Sequence, residues 1–195
     1  MLGKLAELVD KRASYSVVHI VRALLLLSET PAGRFSFMSK LRIGEASAKT
    51  LLNSLCDAGI AKPSVKGAVL TQKGEALVRS LLTQISEPRS IAATDFAVAK
   101  QNIAIIVRNS AKRVGNCISL RDTAVKAGAA GLTVLVKEGG RLRLPNCSFS
   151  LEPIEGVVKS LFKVENGDAV LIGSSPDAIT AEEGAIAAAL QLVAP

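Results

Sequence analysis

The stretch LRIGEASAKTLLNSLCDAGIAK, at residues 41–62, decides the fold of the first half of the chain. It predicts the end of a short helix, a tight turn, and a longer helix at 44–58 that stops at Gly59, a residue type that favours helix ends. Apolar residues recur in the longer helix at i, i+3, i+4 and i+7. These are Ala48, Leu51, Leu52 and Leu55.

The face opposite this apolar stripe is expected to be exposed, polar and basic. In a helix-turn-helix, the second helix enters the major groove of DNA by its N-terminal half. There a lysine can neutralise phosphate or reach guanine, an asparagine can pair with adenine, and hydroxyls can bond to either. The residues that we expect to contact DNA are Arg42 in the turn, Ser47, Lys49, Thr50 and Asn53 on the helix, and Lys66 farther along the chain.

Flanking segments complete a small domain around this helix. Apolar residues at 17, 20, 21, 24 and 25 predict a buried helix at 16–27. Two short β-like runs predict a hairpin with Lys66 at its tip, and Thr71 can cap a closing helix. With IGEASAKTLLNSLCDAGIAK followed by LTQKG, residues 16–82 resemble winged-helix transcription regulators. The resemblance implies duplex DNA binding by the helix at 44–58, with Lys66 on the wing, although winged helices also serve as protein-interaction modules.

The distribution of charge supports a polyanionic partner for the first half alone. The chain of 195 residues has a net charge of +7. Residues 1–84 hold 12 Lys/Arg and 6 Asp/Glu, a net of +6, whereas residues 85–195 hold 12 and 11, a net of +1. A basic half joined to a neutral half indicates two modules with different partners. We therefore predict domains at 1–84 and 96–195, joined by a linker at 85–95.

The second half alternates strands and helices in the order β-α-β-β-α-β-α, which predicts an α+β domain. The segments SLRDTAVKAGAAGLTVLVKEGGRLRLP and GDAVLIGSSPDAITAEEGAIAAALQL resemble the C-terminal domain of a family of archaeal winged-helix proteins. This resemblance extends over the whole chain and implies a regulator without identifying its signal. The expected strands lie at 96–107, 132–137, 141–144 and 168–173, and the expected helices at 119–127, 154–164 and 180–193, with Ser119 and Thr180 as caps.

Catalytic motifs are missing from the sequence, so an enzyme and a cofactor are not expected. His19 is the only histidine, no phosphate loop or dinucleotide fingerprint occurs, and the three cysteines lack metal-site spacing. Ligands often bind at loops that follow strands. The ligand candidates are Arg121, Asp122 and Lys126 at a helix start, and Ser174, Ser175 and Asp177 after a strand. The alternative for the first three is a solvated helix face with an Asp122–Lys126 pair.

Together these features predict a cytoplasmic DNA-binding transcription regulator with an α+β fold and no membrane segment. Its expected partners are double-stranded DNA, a small-molecule effector and a second copy of the chain. The second domain would sense the effector or form a homodimer. Two alternatives stay open, a small-molecule enzyme with an accessory winged helix and a protein-interaction scaffold.

Overall fold

Helices and one β-hairpin make up the first unit of the chain, Met1–Leu82. The computed structural model describes residues 2–10, 12–92, 98–115, 117–145 and 151–194, apart from the side chains of residues 2, 152 and 153. The elements of the first unit are α1 (Leu2–Ala6), α2 (Val17–Glu29), α3 (Arg34–Leu41), α4 (Glu45–Asp57), β1 (Ala61–Ser64), β2 (Gly67–Leu70) and α5 (Gln72–Leu82). The helices predicted at 16–27 and 44–58 and the hairpin are therefore confirmed.

The core of the first unit is formed by apolar side chains of α2, α3, α4 and α5. Leu24 of α2, Phe37 of α3, Leu51 and Leu55 of α4 and Leu81 of α5 are fully buried. Their regular spacing on each helix produces one apolar stripe per helix, and burying these stripes together stabilises the unit. As a result, α3 packs against both α2 and α4, and α5 packs against α2.

The imidazole of His19 has a structural place at the start of α2. The backbone N–H of Ser16 donates to His19 Nδ1 at 3.1 Å. Burial, assisted by the nearby Arg22 guanidinium, lowers the pKa of His19. The ring is thus neutral near pH 7 and can accept this hydrogen bond at an N-terminus where a backbone donor lacks a helical partner.

The end of α4 is fixed by the turn that leads into β1 and by a lysine of α5. Gly59 takes a left-handed conformation with φ of 65°, and the Ile60 N–H donates to the Leu55 carbonyl at 2.9 Å. Lys73 Nζ donates to the Ala58 carbonyl oxygen at 2.6 Å. These bonds satisfy carbonyl groups that a helix end leaves without intrahelical partners.

The turn at residues 70–74, with the sequence LTQKG, holds the start of α5 against the backbone that follows α4. Thr71 Oγ1 donates to the Gly59 carbonyl at 2.7 Å, and the Gly74 N–H donates to Thr71 Oγ1 at 3.2 Å. A Cβ at Gly74 would collide with the Ile60 carbonyl oxygen. Glycine at this position is therefore required by close packing.

The hairpin is anchored to the segment between α2 and α3. Ala32 and Ala68 exchange two backbone hydrogen bonds, of 3.0 and 2.9 Å. Gly67 has a φ of 123°, and a Cβ there would lie 2.8 Å from the Ala32 carbonyl carbon. The first two residues of β2 are thereby fixed beside the tip, whose two residues, Val65 and Lys66, are exposed.

The second unit, Thr83–Pro195, contains a five-stranded antiparallel sheet in the order β3-β4-β7-β5-β6. Its strands and helices follow the predicted order β-α-β-β-α-β-α, with one additional short strand in front, so the mixed α+β character is confirmed. The elements are β3 (Arg89–Ser90), β4 (Gln101–Val107), α6 (Cys117–Lys126), β5 (Gly131–Glu138), β6 (Arg141–Arg143), α7 (Glu152–Leu161), β7 (Ala169–Ser175) and α8 (Ala178–Val193).

Helices cover both faces of this sheet. On one face, Ile154 and Val158 of α7 join a cluster with Ile106, Leu135 and Val170 of the strands. On the other face, α8 lies on β4 and β7, and α6 lies on β5 and against α8. All seven residues of β7 are buried, which is the pattern expected for a central strand covered on both sides.

Close approach between α8 and β7 depends on small residues. A Cβ at Gly173 would collide with the Ala181 carbonyl oxygen, and one at Gly184 would collide with Ala129. The run of alanines in α8 is buried at positions 181, 185, 188 and 189. These small side chains of α8 thus serve close packing within the helix's own unit.

Two ion pairs tie the ends of the sheet to the neighbouring segments. Asp168 is almost fully buried and lies 2.6 Å from Arg108, and its carboxylate also accepts the N–H groups of Asn109 and Glu165, at 3.1 and 3.0 Å. On β5, Lys137 Nζ lies 2.8 Å from Glu155 of α7.

Two cap predictions for the second half are wrong, and the segment predicted as a linker contains a short strand. The predicted linker at 85–95 includes β3, which pairs with β4, and its residues 93–95 lie outside the described part of the chain. Ser119 lies inside α6 and accepts a hydrogen bond from Gln191 Nε2 at 2.7 Å. The cap of α8 is Asp177, whose Oδ1 accepts the Thr180 N–H at 3.0 Å, because a carboxylate three residues earlier reaches the free amide of the first turn.

Candidate nucleic-acid interface

The outer face of α4 carries exposed side chains in a single row. Ala46, Lys49, Asn53 and Asp57 are exposed, at intervals of three or four residues, opposite the buried Leu51. These intervals place the four side chains above one another on consecutive turns. Lys49 and Asn53 occupy the middle of the row.

Neither Lys49 nor Asn53 is used by the folded chain. Within the part of the chain that the structure describes, neither side chain takes part in an ion pair or hydrogen bond. Thr50, beside them, is half-buried, and its Oγ1 donates to the Ala46 carbonyl at 2.9 Å. Lys49 and Asn53 thus keep all their donors and acceptors for an external partner, while Thr50 keeps only its acceptor capacity.

The sequence-based placement of Ser47 on the exposed face is wrong. Ser47 is only 8% exposed, and its Oγ accepts a hydrogen bond from the Ser14 N–H at 3.0 Å. Ser47 lies four residues before Leu51 and eight before Leu55, so it belongs to their buried stripe. This spacing could be read from the sequence, but a serine is polar and was therefore assigned to the exposed face.

Arg42 sits in the turn between α3 and α4, where its φ of 52° is left-handed. Its side chain is exposed. The end of α3 beside it is held by the buried Arg22, whose Nη2 donates to the Lys40 carbonyl at 2.8 Å. A left-handed non-glycine residue is uncommon, and here it turns the chain directly from one helix into the next.

The hairpin tip extends the exposed basic surface. Lys66 is exposed as predicted, and Lys62 on β1 is exposed as well, a position that the sequence reasoning missed. Successive side chains of a strand point to opposite faces. Because Ala61 is apolar and buried, the next residue, Lys62, is expected on the outer face. Val65 at the tip is fully exposed, so it contributes an apolar group beside Lys66.

The acidic residues near this surface differ in their surroundings. Glu45, in the first turn of α4, lies 2.9 Å from Arg34, so its charge is compensated locally. Arg34 also lies over the ring of Phe35, 5.1 Å from its centroid. Asp57 is at the opposite end of α4 from the turn. The N-terminal half of the helix is therefore the part with net positive surroundings.

Of the six ligand candidates in the second unit, three lie on the exposed side of α6. Arg121, Asp122 and Lys126 are all exposed. Arg121 lines an open cavity of about 400 Å³ between α6, β5 and the residues that follow β6. Asp122 and Lys126 are not among its lining residues. Of these three residues, Arg121 is therefore the one placed to contact a ligand in the cavity.

The other three candidates do not share an exposed loop, and the predicted position of Ser174 and Ser175 after the strand is wrong. Both serines are buried in β7, and Ser174 Oγ donates to Asn102 Oδ1 at 2.6 Å. Asp177 uses its carboxylate to cap α8, accepting from the N–H and Oγ1 of Thr180. The rule of ligand loops after strands applies to parallel sheets, whereas this sheet is antiparallel.

No group of three or more His, Cys, Asp or Glu side chains within the described ranges is arranged to hold a metal ion. Within the same ranges, no helix has the length and apolar character to span a membrane.

Comparison with known proteins relates the chain to an archaeal protein. Residues 98–192 match a domain of unknown function, DUF4443. No curated protein matches significantly. The solved structure of hypothetical protein PH0730 from Pyrococcus horikoshii OT3 is similar, with 31% identity over 92% of this chain and 93% of that one and a TM-score of 0.78. The chain therefore belongs to the family of this archaeal protein.

Proposed function

We propose that this protein is a DNA-binding transcription regulator whose first unit is a winged helix. In this proposal, α4 is the recognition helix, the β1–β2 hairpin is the wing, and duplex DNA is the partner. The observation that carries the proposal is the row on α4 in which Lys49 and Asn53 are exposed and unused by the fold. A lysine and an asparagine one turn apart match the groups that read guanine and adenine in the major groove.

The order of elements supports this assignment. A short helix, a three-residue turn and a longer helix are followed by a two-stranded hairpin. In such an arrangement the second helix lies in the major groove while flanking residues contact the backbone. Arg42 in the turn and Lys66 at the hairpin tip would then bind phosphates, which position the protein without reading sequence.

The charge of the two halves supports the same partner. Residues 1–84 carry a net charge of +6, with 12 Lys/Arg against 6 Asp/Glu. Duplex DNA attracts such a surface, and each phosphate neutralised by a lysine or arginine releases counterions. Binding should therefore weaken steeply as the salt concentration rises.

We further propose that the second unit senses a small-molecule effector or forms a homodimer. A single recognition helix contacts few base pairs, and two helices one DNA turn apart recognise two half-sites. An effector that prefers one dimer geometry would change the spacing of the two helices by shifting populations. Light scattering at micromolar concentration should give twice the chain mass of 20.3 kDa, and a monomer with and without DNA would contradict the dimer.

The DNA proposal is tested by titrating the full chain with duplex DNA at several salt concentrations. Lys49→Ala should weaken binding, most of all to a duplex that the unmodified protein selects, because a base contact is lost. Lys112→Ala is the control, because Lys112 is also an exposed lysine but lies in the second unit. Binding that is absent at low salt, or that both variants weaken equally, would contradict the assignment of α4.

A further inference from the structure

An open cavity lies on the second unit, beside the first turns of α6. It has a volume of about 400 Å³, and its lining residues include Ile118, Leu132, Val134 and Leu144. Ile118 is 63% exposed, which makes it one of the most exposed large apolar side chains among the described residues. Apolar side chains left open to water in a concave place are typical of ligand or partner sites.

The pairing of β5 explains why the cavity exists. β6 pairs only with Val136–Glu138 of β5, whereas β7 pairs with β5 from Gly131 to Val136 on the other side. Among the described residues, no strand continues the sheet beside the first half of β5. The gap lies between this strand, α6 and the residues that follow β6, so the fold itself leaves room for a ligand.

Among the described residues that line the cavity, Arg121 is the one with a charged side chain. Its guanidinium forms no ion pair or hydrogen bond with another residue that the structure describes. Cys117, which also lines the cavity, has its thiol pKa raised by burial, so the thiol is neutral near pH 7. As far as the described residues show, the cavity therefore combines apolar walls with one positive charge that no ion pair compensates.

We propose that this cavity binds an amphipathic monocarboxylate, with its carboxylate on Arg121 and its hydrocarbon part against Ile118, Leu132 and Val134. A guanidinium presents two parallel N–H donors that match the two oxygens of a carboxylate. The apolar walls bind the hydrocarbon part by removing its surface from water. The cavity volume lies within the range of small-molecule sites.

The composition of the lining argues against other ligand classes. A nucleotide or a polyphosphate carries several negative charges, whereas the described lining residues include one cation, Arg121. A neutral apolar ligand would leave the Arg121 guanidinium without a partner. The proposal concerns the second unit alone, so it does not depend on DNA binding by the first unit.

The test uses methyl-labelled full-length protein and sodium octanoate as the probe. Octanoate should shift the methyl resonances of Ile118, Leu132, Val134 and Leu144 in a saturable manner. Octylamine, which has the same chain and the opposite charge, should bind much more weakly because Arg121 repels it. An absence of shifts at about 10 mM octanoate, or equal binding of the amine, would overturn the proposal.

Two variants test whether the Arg121 guanidinium binds the carboxylate of octanoate. Arg121→Met should weaken octanoate binding about tenfold or more, since a hydrogen-bonded charge pair is lost. Arg141→Met is the matched control, because Arg141 is an exposed arginine of the same unit that does not line the cavity. Unchanged methyl resonances elsewhere would show that Arg121→Met is folded. Equal octanoate affinity for Arg121→Met and the unmodified chain would overturn the role of Arg121.

Discussion

The backbone N–H of Ser14 donates to Ser47 Oγ, joining the segment before α2 to the first turn of α4 at 3.0 Å. The N-terminal segment makes further bonds nearby, since the Tyr15 hydroxyl donates to the Leu8 carbonyl at 2.8 Å. Ser47 is thus a structural residue of α4, and its exposed neighbours Lys49 and Asn53 are the residues proposed to contact DNA.

Replacing Ser47 by alanine should lower the stability of the protein without removing a DNA contact. The variant leaves the partly buried Ser14 N–H without its acceptor, which costs about 1–3 kcal/mol. Chemical denaturation measures the loss. Ser39→Ala is the control, because Ser39 is an exposed serine on the neighbouring α3 and such changes shift stability by within about 0.5 kcal/mol. Equal stabilities of the two variants would contradict the role of Ser47.

Gly74→Ala should destabilise the first unit, because the added Cβ would collide with the Ile60 carbonyl oxygen. Forcing extra atoms into such a contact costs about 1–3 kcal/mol. Gly156→Ala in α7 is the matched comparison, since a Cβ there meets no atom within 4 Å. That change should stabilise the protein by about 0.5–1 kcal/mol. Thermal unfolding that shifts in the same direction for both variants would contradict this packing account.

The Lys137–Glu155 pair should make the stability of the second unit depend on pH in acid. The hydrogen bond from Lys137 is the main cause that lowers the pKa of Glu155 from 4.5 to about 2. The folded-state pKa lies below the unfolded one, so the stabilisation is complete above pH 4.5 and is lost as the pH falls toward 2. Unfolding by denaturant at a series of pH values measures this loss.

Glu155→Gln should remove this part of the acid-dependent loss, because glutamine does not titrate. Glu138→Gln is the control, since Glu138 is exposed on β5 and its variant should keep the behaviour of the unmodified chain. A Glu155→Gln protein that lost stability with acid as steeply as the control would show that this pair does not carry the effect.

Asn53→Ala should reduce sequence discrimination, whereas Lys66→Ala should weaken binding to all duplexes alike. A good bidentate base contact is worth about 1–3 kcal/mol of discrimination, while a phosphate contact carries no sequence information. Titration of each variant against a duplex selected by the unmodified protein and a scrambled duplex separates the two roles. Equal losses on both duplexes for Asn53→Ala would mean that Asn53 does not read bases.

The order of elements could be predicted from the sequence because local signals agreed with tertiary packing. The stripe that includes Leu51 and Leu55, the left-handed Gly59 and the turn at Gly139-Gly140 each specify one local conformation. The order of helices and strands predicted for the second unit, and the helices and hairpin predicted for the first, therefore agree with the structure. Helix ends were less predictable, because Asp177 and Thr180 are both suitable caps and only the folded backbone selects between them.

The ligand candidates were harder to predict because their chemistry depends on neighbours far along the chain. Ser174 is paired with Asn102, 72 positions away, and nothing in the local sequence indicates this bond. The cavity beside Arg121 is likewise built from α6 and β5 together. On α4, Lys49 and Asn53 were correctly placed on the exposed face, since their positions follow from helical periodicity alone.

The most direct test of DNA binding is amide chemical-shift mapping of the labelled full-length protein with a short duplex at low salt. The account predicts that the largest shifts fall on the first half of α4, including Lys49 and Asn53, on the turn at Arg42 and on the hairpin tip at Lys66. It also predicts little change in the sheet of the second unit. Shifts confined to the second unit, or none at all, would contradict the claim that α4 binds DNA.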